Sequence, residues 1–310
     1  MTSGPQRGVL VTGATGKQGG GVIDSLLSSP AGSPEFTILA VTRSPESKSA
    51  QALADRSNVK IIKGDLNDVP GIFSTAKAIH SDIWGVFSVQ IPMGQGQSPE
   101  TEEQQGKALI DEAIKHGVKK FVYSSVDRGG DNSINNPTHV PHFISKYNIE
   151  KHLIEKAKGT DMNYTILRPV AFMENFQPGF FGKAFGSALS VGLPPDRPLQ
   201  FISVSDIGFF AANAFRSPDK HRNASLTLAG DNLTWKQIDQ VFRDKTGSPA
   251  PKTFGFVGSG LLWASKEMGT MFEFFRDQGF GADIPALKAQ HPQMMTLGDW
   301  IEKKSAYAKK

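Results

Sequence analysis

Residues 9–19, VLVTGATGKQG, join an apolar run to three glycines that are each separated by two residues. The run at 9–12 is typical of a strand buried on both faces, and the residues after Gly19 follow a helical pattern. A strand, a glycine-rich turn and a helix in this order form the first part of a dinucleotide-binding fold. The sequence therefore predicts a Rossmann-type domain near its start.

Each glycine of this motif has its own predicted role at a bound dinucleotide. Gly13 permits a tight turn, Gly16 lets the backbone approach a pyrophosphate, and Gly19 allows close packing of the helix on the strand. Orphan amides and the positive end of the helix dipole then face the phosphates. The same loop supplies three further predicted cofactor contacts: Thr15, Lys17 and Gln18.

Short apolar runs alternate with helical patterns through the first half of the chain. Strands are predicted at 9–12, 36–42, 59–62, 84–89, 121–124 and 164–168, with helices between them. This alternation implies an α/β fold, a doubly wound parallel sheet of the Rossmann type. Residues 1–169 are expected to form the NAD(P)-binding domain, with 200–216 returning to it. Residues 170–310 are expected to form a smaller, partly interleaved α+β lobe that completes a cleft.

The residue that follows the second strand indicates which dinucleotide is preferred. An NAD site usually has a carboxylate there for the ribose 2′-hydroxyl, whereas this chain has Arg43. A guanidinium suits a 2′-phosphate, and Lys17 adds a second positive charge. NADP(H) is therefore the predicted cofactor, with NAD(H) weaker, while an ordinary surface arginine is the alternative. Further contacts are predicted at the ends of other strands: Asp65, Leu66, Val89, Gln90 and Ser124.

The candidate catalytic residues are His142 and Lys146. They are four apart at the start of a predicted helix over 143–158, so they share one helical face. Lys146 is expected to contact the nicotinamide ribose. A short-chain dehydrogenase has its proton-donating tyrosine four residues before this lysine, where the chain has His142. A histidine can exchange a proton near neutral pH, although a surface or capping histidine is an equally good explanation.

The composition restricts the remaining function classes. The chain has no cysteine, which excludes disulfides, thiol nucleophiles and thiolate metal sites, and no metal site is predicted. The excess of 34 basic over 30 acidic residues is weak and forms no block, so no nucleic acid contact is expected. No apolar signal or membrane-spanning run is visible. The expected location is the cytoplasm, with the nucleus as a further option.

Taken together, these motifs resemble the NmrA-like family of atypical short-chain dehydrogenases. The resemblance rests on residues 11–19, 42–43, 63–65 and 121–125, on the helix bearing Lys146, and above all on LRPVAFMENF at 167–176. It implies a Rossmann domain, a small C-terminal lobe and a cofactor cleft between them. Phe172, within the last segment, is a further predicted cofactor contact. The resemblance also implies that Lys146 serves catalysis without the usual tyrosine, as in isoflavone-reductase-like enzymes.

Two functions are consistent with these residues, and the family resemblance includes both regulators and oxidoreductases. The first is a protein that senses the redox state of NADP(H) and presents its surface to a protein partner, which the missing tyrosine favours. The alternative is an NADPH-dependent reductase of a small carbonyl or a conjugated double bond, which His142 and Lys146 favour. The sequence predicts the sensing regulator first and the reductase second.

Overall fold

Two β-sheets are present in the structure, a computed structural model that describes residues 6–28, 35–94 and 96–308. Their strands are β1 (Arg7–Val11), β2 (Phe36–Thr42), β3 (Val59–Lys63), β4 (Ile83–Ser88), β5 (Lys120–Ser124), β6 (Asn163–Pro169), β7 (Ala171–Phe172), β8 (Leu199–Ile202), β9 (Ala224–Leu228) and β10 (Asp231–Leu233). The main sheet has the order β3-β2-β1-β4-β5-β6-β9, and neighbours from β3 to β6 are parallel. The predicted α/β fold is confirmed.

In the first part of the chain the α-helices alternate with strands as a doubly wound fold requires, whereas the last five helices, all after Leu233, follow one another. The α-helices are α1 (Lys17–Leu27), α2 (Lys48–Ala54), α3 (Val69–Ile79), α4 (Pro99–Lys115), α5 (Pro141–Ala157), α6 (Phe180–Gly192), α7 (Val204–Arg216), α8 (Trp235–Thr246), α9 (Gly255–Ala264), α10 (Lys266–Asp277), α11 (Ile284–Gln290) and α12 (Leu297–Lys303). The residues just before and within the first turn of a helix determine where that helix begins. At α4, for example, Ser98 and Thr101 form a reciprocal capping box and Pro99 occupies the first turn.

The chain divides into two compact units, each built from several segments. The first unit contains the residues up to Ser125, then Ser145–Leu167 and Ile207–Leu226. The second contains Val126–Ile144, Arg168–Asp206 and the residues from Thr227 onward. The first unit holds the parallel strands β1 to β5 and most of β6, and therefore most of the predicted cofactor residues.

Both faces of the main sheet are buried in the first unit. Leu10 of β1 packs in a cluster with side chains of α3, α4 and α5, whereas its buried neighbours Val9 and Val11 point the other way. On that opposite face Phe215 of α7 lies against Gly85 of β4. Strands covered on both sides read as continuous apolar runs, which is the pattern seen in the sequence.

The second unit contains the three-stranded sheet β10-β8-β7 and its own aromatic core. The phenylalanines over 176–185 divide between this core and exposed positions. Phe176 is fully buried in this core and Phe185 packs against it. Phe180 and Phe181, in the first turn of α6, are 66% and 85% exposed and belong to no core.

Over residues 6–28, 35–94 and 96–308, no helix has both the length and the apolar character needed to cross a bilayer.

Candidate functional site

The glycine-rich turn joins β1 to α1 at the carboxyl edge of the parallel sheet. Gly16 is the N-cap residue of α1, and its amide donates to the Gly13 carbonyl at 2.9 Å. Gly13 has a φ of +59°, in the left-handed region that suits glycine. Strand order reverses on either side of β1, which lies between β2 and β4. Ligands of open α/β sheets bind at such a reversal, so the turn lies where a ligand is expected.

Two glycines of the turn are required by close approach of other atoms. A Cβ added at Gly19 would lie 2.2 Å from the Gly13 carbonyl oxygen, and one added at Gly13 would lie 2.8 Å from Cγ1 of Val89. Gly20 differs, because its Cβ would be 3.8 Å from the Ala14 carbonyl oxygen, an ordinary contact. Glycine at position 19 therefore lets the first turn of α1 lie directly on the loop.

The first turn of α1 presents backbone amides that no side chain caps. Gly16 has no side chain to accept from them, and the turn carries no acidic residue. The first amides of a helix lack an acceptor within the helix, and the helix dipole adds positive potential. Thr15, Gly16 and Lys17 are exposed, and Lys17 adds a positive charge to the turn. This open set of donors fits a phosphate or pyrophosphate group.

Thr12 carries a buried hydroxyl directly after β1 and has no role predicted from the sequence. Its Oγ1 accepts from the Val89 amide at 2.9 Å and donates to the Val89 carbonyl at 3.0 Å. These bonds fix the segment after β4 beside Gly13. A hydroxyl that ends an apolar run is the one signal that marks Thr12 in the sequence.

Gln90, which follows β4, has a buried oxygen that fits a ligand. The residue is 4% exposed, and its Nε2 donates to Oγ of Ser88 at 2.9 Å. Its Oε1 is buried and accepts no hydrogen bond from the part of the chain that the structure describes. Because an unsatisfied buried acceptor costs free energy, a ligand hydroxyl or amide that donates to it would be stabilised.

The residues predicted to contact the adenosine half follow β2 and β3. Arg43 is exposed directly after β2. Asp65 follows β3, and its Oδ1 accepts from the Asn67 amide at 2.9 Å. Leu66 is partly buried against the core of the first unit. The three lie at the same sheet edge as the glycine turn, because β1, β2 and β3 are parallel. Their contacts with a cofactor stay predictions.

Gln18 and Ser124, two predicted cofactor contacts, bind each other. Ser124 ends β5, is fully buried, and donates through Oγ to Oε1 of Gln18 at 2.5 Å. The next residue, Ser125, donates through Oγ to Glu150 of α5, which is also buried. Hydrogen-bonded contacts thus run from the glycine turn, through the end of β5, to the helix that carries Lys146.

Lys146 lies in the second turn of α5 and is 8% exposed. Its Nζ donates to Oε1 of Glu102 at 2.6 Å, and Oγ of Ser145 donates to the other oxygen of the same carboxylate. Glu102 belongs to the N-terminal part of α4, so α4 and α5 bring these groups to the carboxyl edge of the sheet. Glu102 was not predicted from the sequence, because a glutamate in a helix is usually exposed.

His142 belongs to the second unit, although α5 carries both it and Lys146. Its ring Nδ1 contacts Oε1 of Glu267, and its backbone amide donates to the same atom at 2.9 Å. Burial opposes ionisation of Glu267, but the hydrogen bonds from His142 outweigh it and lower the pKa of that carboxyl. An acid or base role for His142 stays a prediction.

Phe172 also belongs to the second unit, where it forms half of the short strand β7 and pairs with Ile202 of β8. Its contact with a cofactor stays a prediction. Among the described residues, no group of three or more histidine and acidic side chains is arranged to hold a metal ion.

Comparison with known proteins gives one family and two kinds of relative. The profile of the NmrA-like family matches residues 5–301. The chain is 29% identical to the NmrA-like family domain-containing oxidoreductase notA' of Aspergillus versicolor, over 83% of this chain and 73% of that protein. Among solved structures, NmrA, a negative transcriptional regulator, has a similar fold. Its complex with NAD gives a TM-score of 0.70 and its complex with NADP gives 0.69, each at 16% identity over 96% of this chain and 95% of NmrA.

Proposed function

Because the chain belongs to the NmrA-like family, we propose that it binds a nicotinamide dinucleotide, with NADP(H) preferred, and acts as an oxidoreductase. The uncapped amides of α1 support the binding proposal, as does the close packing around Gly13 and Gly19. The buried oxygen of Gln90 is a further polar group that a ligand would satisfy. NmrA has been crystallised with NAD and with NADP, which supports the cofactor class without choosing between the two.

The preference for NADP(H) is proposed from charge. Arg43 takes the place after β2 where an NAD site would carry a carboxylate, and Lys17 is exposed in the glycine turn. A guanidinium can bind two phosphate oxygens at once through charge-assisted hydrogen bonds. A free 2′-hydroxyl is neutral and offers a single, weaker acceptor. In this proposal the turn holds the pyrophosphate and Arg43 holds the 2′-phosphate.

The oxidoreductase proposal depends mainly on Lys146. A bound nicotinamide ring supplies a hydride donor or acceptor, so the protein has only to position groups and stabilise charge. Nζ of Lys146 carries three donors in its ammonium form, and Glu102 accepts one of them. Within the described residues no other acceptor bonds to Nζ, which leaves two donors for a ligand hydroxyl or a substrate carbonyl. An ammonium so placed stabilises negative charge that develops on a carbonyl oxygen.

The arrangement at Lys146 and the relative named an oxidoreductase support a proposal for the substrate class. We propose an NADPH-dependent reduction of a small carbonyl or a conjugated double bond. The test has two parts. Calorimetry with NADP⁺, NADPH, NAD⁺ and NADH measures binding, and NADPH consumption over a panel of carbonyls and enones measures turnover.

Two lysine variants on the same helix make the turnover test specific. Lys146→Ala is expected to abolish turnover, whereas Lys156→Ala, an exposed position in the last turn of α5, is expected to leave it unchanged. Turnover that survives Lys146→Ala would contradict the assigned site. Absence of binding to all four dinucleotides would overturn the proposal as a whole.

A cofactor-sensing regulator is the second candidate, and the absence of the usual tyrosine is the observation that favours it. The position of the usual proton-donating tyrosine is held by a histidine whose ring is bound to Glu267. NmrA is described as a negative transcriptional regulator. A regulator of this kind has to differ in conformation between NADP⁺ and NADPH. Hydrogen exchange measured with each cofactor tests this, since identical exchange in both states would exclude redox sensing.

A further inference from the structure

Glu102 is a fully buried carboxylate that the proposed function leaves without a role. It lies one turn after Ser98, the N-cap of α4. Its two oxygens accept hydrogen bonds from adjacent residues of α5. Oε1 accepts from Nζ of Lys146 at 2.6 Å, and Oε2 accepts from Oγ of Ser145. The side chain of Glu102 is 0% exposed and that of Lys146 is 10% exposed.

Because both side chains are buried, loss of this ion pair is expected to cost more free energy than loss of an ion pair on the surface. A carboxylate without water is costly unless it is paired and hydrogen-bonded, and removal of either partner leaves an uncompensated charge. The bond from Ser145 holds the second oxygen of Glu102, so the plane of the carboxylate is fixed as well as its charge. The position of Nζ is therefore set by α4, an element other than its own helix.

Other charged groups near this pair have partners of their own. Glu103, the next residue of α4, binds Lys107 at 2.5 Å and accepts from Asn148 at 2.8 Å. Glu150, one turn after Lys146 on α5, accepts from Ser125. Glu102 is thus the carboxylate whose hydrogen bond compensates the charge of Lys146 in the described part of the chain.

We infer that Glu102 is a positioning residue that keeps Nζ of Lys146 charged and directs its two remaining donors toward a ligand. The inference rests on the proposed function only for the identity of that ligand. It assigns Lys146 the part of a fixed cation and hydrogen-bond donor.

The test is the rate at which each lysine reacts with a limiting amount of acetic anhydride, read by mass spectrometry of peptides. Only an uncharged amine reacts, so the labelling rate reports the charge of Nζ. Glu102→Gln is expected to raise the labelling rate of Lys146 about 10-fold or more, since loss of an opposite charge at hydrogen-bond distance raises the uncharged fraction by at least that factor. Glu103→Gln is the matched control and is expected to leave Lys146 unchanged.

Lys120 serves as an internal reporter of structural damage, because it is fully buried in the same unit. Its labelling rate is expected to stay constant in Glu102→Gln. Equal labelling of Lys146 in the wild type and in Glu102→Gln would overturn the inference, as would a parallel rise at Lys120. If Glu102→Gln does not fold, Ser145→Ala is expected to raise labelling of Lys146 about 2-fold or more through loss of one hydrogen bond, and no rise would overturn the inference.

Addition of NADP⁺ separates this inference from the proposed function. Protection of Lys146 by NADP⁺ in the wild type is expected if the dinucleotide binds beside it. If NADP⁺ does not protect Lys146 in the wild type, the proposed cofactor site is contradicted. The role of Glu102 is decided separately, by the difference in labelling between the wild type and Glu102→Gln without cofactor.

Discussion

Nζ of Lys120 lies 2.8 Å from Oδ1 of Asn163, at the sheet edge opposite to the glycine turn. The two residues begin the adjacent parallel strands β5 and β6. The same amine donates to the carbonyl oxygens of His221 at 3.0 Å and Pro218 at 3.4 Å. Three oxygen acceptors match the three donors of an ammonium, so Lys120 ties the segment between α7 and β9 to the start of both strands.

Because Lys120 is buried, the free energy of unfolding is expected to depend on pH. Burial, together with the charge of Arg222, lowers the pKa of Lys120 from 10.5 to about 7. Between these values the unfolded chain binds the extra proton, so the contribution of Lys120 to the free energy of unfolding rises with pH from about 7 to about 10. The slope expected for one proton is at most about 1.4 kcal/mol per pH unit. Lys120→Met is expected to remove it.

Urea unfolding at a series of pH values across this interval measures the effect. Lys119→Met is the matched control, because Lys119 is half-exposed, adjacent in sequence and paired with Asp161 on the surface. Its pH slope is expected to equal that of the wild type. If Lys120→Met also keeps the wild-type slope, the titration of Lys120 is not coupled to unfolding.

The glycine turn gives a prediction about steric fit. Gly19→Ala would place a Cβ 2.2 Å from the Gly13 carbonyl oxygen, so the first turn of α1 has to move away from the loop. The cost in stability is expected to be about 1–3 kcal/mol, the range for forced overpacking. Dinucleotide binding measured by calorimetry is expected to fall at least about 10-fold, since a loss of 1.4 kcal/mol is sufficient for that.

Gly20→Ala is the control for this substitution, because it adds the same methyl group to the next residue of α1. The methyl would make only an ordinary contact, 3.8 Å from the Ala14 carbonyl oxygen. Binding is expected to be unchanged, and helix propensity favours alanine by up to about 1 kcal/mol. Equal loss of binding in Gly19→Ala and Gly20→Ala would show that the close approach to Gly13 is not what matters.

Arg43 gives a prediction about cofactor choice. If its guanidinium binds the 2′-phosphate, Arg43→Ala weakens NADPH binding by about 1–3 kcal/mol and leaves NADH binding nearly unchanged. Arg56→Ala is a suitable control, because Arg56 is bound to Asp24 and is expected to affect neither cofactor. Calorimetric titration of both cofactors measures the difference. A similar loss of binding free energy for NADPH and NADH would show that Arg43 does not bind the 2′-phosphate.

Much of the fold was predictable because its signals are local. The run at 36–42 coincides with β2, since an apolar stretch bounded by turn residues defines a buried strand at both ends. The predicted helix over 143–158 begins at Pro141 in the structure, because proline is well suited to the first turn of a helix. The chain re-enters the first unit at Ile207, inside α7, whereas β8 belongs to the small sheet of the second unit, so the expected return of 200–216 as a block stays a prediction.

The buried polar contacts were not predictable, because their partners are distant in sequence. Lys146 and Glu102 are 44 residues apart, and Lys120 and Asn163 are 43 apart. Nothing in the local pattern around Glu102 distinguishes it from an exposed glutamate of the same helix. Only the pairing of strands and the packing of α4 beside α5 bring these groups together, and this packing depends on many weak contacts at once.

Glu174, in the family-specific segment, gives a prediction for the second unit. Its Oε1 accepts from the Val204 amide at 3.0 Å, from Nε1 of Trp300 at 3.1 Å and from Oγ of Ser203 at 3.3 Å. Burial nevertheless raises the pKa of Glu174 above its usual 4.5. Between the pKa of this carboxyl in the unfolded chain and its higher pKa in the folded protein, the native state keeps a proton that the unfolded chain releases. The free energy of unfolding therefore falls as pH rises between these two values.

Glu174→Gln retains an acceptor oxygen but cannot ionise, so it is expected to stabilise the protein near neutral pH. The gain is expected to vanish well below the reference pKa of 4.5, where the wild-type carboxyl is protonated in both states. Urea unfolding followed by tryptophan fluorescence measures both values. Glu302→Gln, at an exposed position paired with Lys245, is expected to show no such gain. A Glu174→Gln profile parallel to that of the wild type would mean that Glu174 titrates alike in the folded and unfolded chain.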